Sequence, residues 1–97
     1  FREERNRAFL FAAFIMEPVT GIHDFVNFVV TSLADQPEKS TVVRRQEGGR
    51  TVFDVRVDES DIARLLGRSG NTVMAVRNLA SAAATRHGLD VGVEVLE

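Results

Sequence analysis

The sequence predicts an α+β domain with the element order α-β-β-α-α-β. Three observations carry this. Apolar residues recur at helical spacing from Ile22 to Leu33, and two β-prone runs flank the pair Gly48-Gly49. Two further helical patterns meet at Gly67-Arg68-Ser69-Gly70 and lead into a last alternating run, Val91 to Leu96. A chain of 97 residues holds one core, but not a core plus a large enclosed active site.

The elements follow in order. Residues 2 to 7 are mostly charged, and Ala8 to Met16 is an unbroken apolar run too short to span a bilayer. Two readings of residues 1–15 stand. They are foreign or upstream sequence ahead of a natural start at Met16, or a native short helix that docks on its own domain or on a partner. Glu17 to Gly21 reads as a linker, so the expected organisation is an N-terminal extension over 1–21 and a domain over 22–97. Ile22, Phe25, Val26, Val29, Val30 and Leu33 predict a first helix over 22–35, capped by Thr20 or Asp24 and ended by Pro37. His23 reads as a surface residue of its first turn.

Ser40 to Glu47 and Thr51 to Val57 are the predicted hairpin strands, joined at Gly48-Gly49. In the second strand Thr51, Phe53, Val55 and Val57 share one face, and Asp54 and Arg56 the other, which should meet water. Asp58 is the expected N-cap of a short helix over 59–66, with Asp61 completing a weak capping box. A long Ala-rich helix is predicted over 71–87 with a buried stripe of Val73, Val76, Leu79, Ala80, Ala83 and Ala84. Arg86 and His87 suit its C-terminal dipole, and Gly88 its cap. Val91, Val93 and Val95 form one face of the last strand.

The stretch Gly67-Arg68-Ser69-Gly70 organises the chain. Two glycines three apart permit a sharp turn, and the free N–H groups of the helix that follows point into it. Such an end favours an anion such as phosphate, and Arg68 adds a positive charge at the tip. The whole chain carries a net charge of −2, which argues mildly against nucleic-acid binding. Distribution matters more. From Ile62 to Leu89 there is no Asp or Glu, while Arg64, Arg68, Arg77 and Arg86 give that stretch a formal charge of +4. The competing reading is an Ala-rich helix with solvated arginines. Its coincidence with the glycine loop favours a local phosphate-facing patch.

Leu65-Leu66-Gly67-Arg68-Ser69-Gly70, then Val76 to Ala84 and Arg86-His87-Gly88, resembles the small single-KH RNA-binding proteins of bacteria, the KhpA family. The resemblance covers about residues 22 to 97 and implies a type II (prokaryotic) KH domain, a three-stranded mixed sheet with helices on one face. In KH domains the G-x-x-G loop clamps the backbone of about four nucleotides. The resemblance places that role on Gly67, Arg68, Ser69 and Gly70. Asn71 and Thr72 at the helix start are added as donors, and Arg64 and Arg77 as neighbouring charges. Leu66, Val73, Val55 and Val57 are candidate walls of a base-binding groove, with the core as their competing role. The family implies single-stranded RNA as partner, and pairing as a homodimer or with a second KH protein of the KhpB type. It also implies RNA chaperoning and a link to cell elongation and division.

No catalytic constellation is legible. His23 and His87 have no Cys or paired carboxylates at metal-ligand spacing, and Ser69 has no neighbouring His to act as base. No enzyme activity, metal or cofactor is expected. The absence of cysteine excludes disulfides and suits a cytoplasmic protein. All seven Phe lie outside the loop region, so base stacking on aromatics is not the expected mode. The alternative function is a KH-like interaction or dimerisation module without RNA binding.

Overall fold

A computed structural model describes residues 18–97. The elements are α1 (Pro18–Leu33), β1 (Thr41–Glu47), β2 (Arg50–Arg56), α2 (Ile62–Leu66), α3 (Asn71–Thr85) and β3 (Val91–Val95). β2 is central, antiparallel to β1 and parallel to β3, so the sheet is mixed with the order β1-β2-β3. The α-β-β-α-α-β expectation holds. Residues 1–17 of the predicted extension over 1–21 lie outside the described residues.

Alternation fixes which sheet face is covered. Phe53 and Val55 pair across β2 with Val93 and Val95 of β3, so their side chains share a face. That face packs on Ile22, Val26 and Val30 of α1, on Leu65 of α2, and on Val76, Ala80 and Ala84 of α3. All three helices therefore sit on one side of the sheet. The small residues of α3 let its backbone lie close to its neighbours.

Helix α1 begins earlier and ends earlier than the periodicity predicts. It starts at Pro18, so residues 18 to 21 are helical, not linker, and neither Thr20 nor Asp24 caps it. Proline suits the first turn because its missing N–H would find no intrahelical partner there. The helix stops at Leu33, four residues before Pro37, which instead opens a short 3₁₀ turn, Pro37–Lys39. The cause is tertiary. The N–H groups of Asp35 and Gln36 turn away to donate to Asp61, each at 3.0 Å.

Two side chains also depart from their expected surfaces. His23 lies in the second turn of α1 and is half-buried. Its Nε2 donates to the Val42 carbonyl at 2.8 Å, and its ring stands 5.9 Å from that of Phe53. It ties α1 to β1. Val52, on the outer sheet face expected to be wet, is fully buried. On that face Arg45 grips Asp54 through two hydrogen bonds of 2.9 and 3.2 Å, and also reaches Glu47 and Glu94. One arginine thus links all three strands. These bonds hold the Asp54 carboxyl below the ordinary carboxylate range.

Candidate nucleic-acid interface

The interface is built from the turn between α2 and α3. Asp58 caps the approach as expected, accepting from the Ser60 N–H at 3.1 Å, and the Ser60 bonds hold its carboxyl below the ordinary range. Asp61 does not complete a capping box. It is 1% exposed, and both its oxygens face the chain just after α1. After a short 3₁₀ turn, Glu59–Asp61, helix α2 runs for only five residues and buries one of them, Leu65.

The turn itself is strained by design. Gly67 adopts φ 75° and ψ 176°, a region essentially reserved for glycine. A side chain there would also run into Thr72, whose Cβ lies 2.7 Å from the place a Gly67 Cβ would take. Ser69 is left-handed at φ 57°, ψ 26°, and Gly70 at φ 75°, ψ 11°. Three of four successive residues therefore have positive φ, which coils the backbone tightly over the start of α3. No side chain caps that start; the Asn71 N–H bonds back to the Arg68 carbonyl, and the helix end carries a partial positive charge. Arg68 and Ser69 are exposed at the tip, and Arg68 has no ion-pair partner among the described residues.

The other anticipated residues fall in different places. Asn71 is exposed at the first position of α3, whereas Thr72 is half-buried beneath Gly67. Arg64 is exposed but paired with Asp35 at 3.0 Å. Arg77 turns towards the sheet, its Nε donating to the Val93 carbonyl at 2.8 Å. It lines a groove of about 390 Å³ between α3 and β3, with Arg50, Asn78, Ser81 and Val91 to Glu94. Arg86 lies at the opposite end of α3, some 20 Å from the loop at about 1.5 Å per residue. The acid-free stretch is thus a loop, the α3 wall of a groove that Glu94 also lines, and a remote end, not one patch.

Val55 and Val73 are buried in the core, and Leu66 and Val57 are half-buried at its margin. Leu79, expected in the buried stripe, is 59% exposed, and Ala75 and Ala82 join it on the outward side of α3. The Arg50 side chain was missed by sequence reading. Its guanidinium lies over Gly92, and only the register of β2 against β3 brings it there.

A three-stranded mixed sheet covered on one face by helices, two of them joined through a G-x-x-G turn, defines a KH domain. The family model described as KhpA/KhpB, KH domain, matches residues 23–95. The chain belongs to that family. It is 28% identical over 74 residues to the RNA-binding protein KhpA of Chlamydia caviae, covering 76% of this chain and 95% of the relative. Identity to the RNA-binding protein KhpA of Leifsonia xyli subsp. xyli is 38% over 69 residues, covering 71% and 88%. With that of Bacillus subtilis it is 26% over 76 residues, covering 78% and 94%. No solved structure matches significantly.

Proposed function

We propose that the protein binds single-stranded RNA, with the phosphate backbone held at Gly67 to Asn71 and the following nucleotides led into the groove between α3 and β3. The observation that carries this reading is the turn itself. Three positive-φ residues set a helix start without a side-chain cap beside Arg68, which has no ion-pair partner among the described residues. Gly67 and Gly70 admit the phosphates, Arg68 supplies charge, and Ser69 and Asn71 supply donors. Arg77 extends the positive edge into the groove, since its terminal nitrogens remain after Nε bonds Val93. The relatives are named as RNA-binding proteins, which supports RNA as the ligand.

The same reading makes the protein an RNA chaperone or post-transcriptional regulator linked to cell elongation and division, working in the cytoplasm. No helix among the described residues is long and apolar enough to cross a membrane. One domain with few charges gives weak binding that improves when two copies act together. Pairing as a homodimer or with a second, KhpB-type KH protein supplies the second copy. The exposed Ala75, Leu79 and Ala82 on α3 support such an interface.

Fluorescence polarisation with a short single-stranded RNA at two salt concentrations tests the reading. Binding should weaken steeply with salt, as each phosphate contact releases counterions. A protein that binds no RNA pool at low salt would instead be an interaction module that keeps the fold and its exposed α3 stripe.

A further inference from the structure

The carboxylate of Asp61 is the most deeply buried charged group among the described residues, at 1% exposure. It touches no part of the proposed RNA path. Its Oδ1 accepts from the Asp35 N–H and its Oδ2 from the Gln36 N–H, both at 3.0 Å. Around it lies a set of weaker ties between the same two segments. Arg64 pairs with Asp35 at 3.0 Å, the Gln36 amide reaches Asp58 and Ser60 at 3.2 and 3.3 Å, and Lys39 reaches Asp58 at 3.5 Å. The chain after α1 is thereby latched to the chain that enters α2.

Helix α2 needs such a latch. It has five residues, and Leu65 is its one buried side chain. A helix that short has no stability of its own. Its last turn nevertheless holds the loop, since the Gly67 N–H donates to the Ala63 carbonyl at 3.0 Å and the Gly70 N–H to the Gly67 carbonyl at 3.2 Å. The direction in which Gly67 to Gly70 faces solvent therefore follows from where α2 is pinned. Leu65 fixes its depth, and Asp61 fixes its start against the end of α1.

We propose that Asp61 is a positioning residue for the glycine loop. Both oxygens together set the placement of α2, and through it the presentation of the backbone that holds RNA. The effect on affinity rests on the RNA reading above, whereas the effect on loop order does not.

The test compares Asp61→Asn with the parent by amide hydrogen exchange and by RNA polarisation, well below the melting temperature. Asparagine keeps the shape but turns one acceptor into a donor facing an N–H. Exchange should quicken at Gly67 and Gly70 before it quickens at β2 or α3. Affinity should fall by at least about tenfold, the scale of one charge-assisted hydrogen bond. Val26→Ala, a cavity in α1 away from the latch, should lower the melting temperature while leaving both readouts at parental values. If Asp61→Asn does not fold, Gln36→Ala removes only the half-buried margin of the latch and should give a smaller change of the same kind. A folded Asp61→Asn protein with parental exchange at Gly67 and Gly70 would overturn the proposal. So would Gln36→Ala with parental exchange there, where it is the only folded variant. Quickened loop exchange in a protein that binds no RNA would leave the latch standing and remove the RNA reading instead.

Discussion

Thr72 occupies the space that any side chain at Gly67 would need. Its Cβ and backbone nitrogen lie 2.7 and 2.9 Å from where a Gly67 Cβ would stand. The two residues bracket the turn, so the close approach of α3 to the end of α2 depends on there being no side chain at position 67. Gly70 differs, because a side chain there would meet nothing within 4 Å.

The two glycines should therefore respond differently to substitution. Gly67→Ala meets both a forbidden dihedral region and a steric collision, and should lose about 2–4 kcal/mol. Gly70→Asn meets only a left-handed position, which Asn tolerates, and should lose less than about 1 kcal/mol. Urea denaturation of the two variants checks the ordering. Equal losses would mean that the collision with Thr72 is relieved at little cost.

Much of this fold was legible because its signals are local. The periodicity of Ile22, Val26 and Val30, the alternation of Val91 and Val93, and the Asp58 cap each depend on residues within a turn or two. What failed was non-local. Asp61 was assigned to its own helix, but its partners lie 25 and 26 residues away. The end of α1 at Leu33 follows from those same bonds. Leu79 sits one residue's rotation, about 100°, from buried Ala80, and only the direction of packing decides which of them is covered. In the site, the glycines and Arg68 stand where spacing put them. The partners of Arg64 and Arg77, Asp35 and the Val93 carbonyl, belong to other segments and carry no sequence signal.

The N-terminal boundary gives a second prediction. Residues 18–97 contain every element of the α-β-β-α-α-β unit, with Pro18 opening α1. A chain trimmed to begin at Met16 should melt cooperatively, within about 5 °C of the full chain. That corresponds to roughly 1 kcal/mol for a domain of this size. A larger drop would show that the extension packs on the domain.

Acid should act through the outer sheet face. The Arg45 hydrogen bonds lower the folded-state pKa of Asp54 beneath its ordinary value of 3.8. Between the folded and unfolded values the unfolded chain binds more protons, so stability rises with pH across that window. The contribution is fully present above the unfolded value and is lost as pH falls through the folded one. Asp54→Asn should lower stability at neutral pH and flatten the acid limb of a melting-temperature profile. An unchanged acid limb would assign acid sensitivity to other carboxylates, Asp58 first among them.

The loop provides the sharpest case, because fold and function should move apart. In the double variant Arg68→Asp with Ser69→Asp, both glycines keep the turn. Both positions are exposed, and Asp accepts the left-handed dihedrals of Ser69 better than most residues. The first turn of α3 holds no acidic residue, so carboxylates just ahead of it complement the helix dipole by roughly 0.3–1 kcal/mol. Stability should stay level or rise slightly. The same carboxylates would face the RNA phosphates at close range, where Arg68 offered attraction. Losing one charge-assisted contact costs about 1.5–3 kcal/mol, and repulsion adds to it. Affinity for single-stranded RNA should fall at least about tenfold, since 1.4 kcal/mol is a factor of ten. Thermal melts and RNA polarisation on the same sample read the two quantities. A variant that folds like the parent and binds RNA like the parent would show that the loop is only a corner between α2 and α3, and would move the search to the groove beside β3.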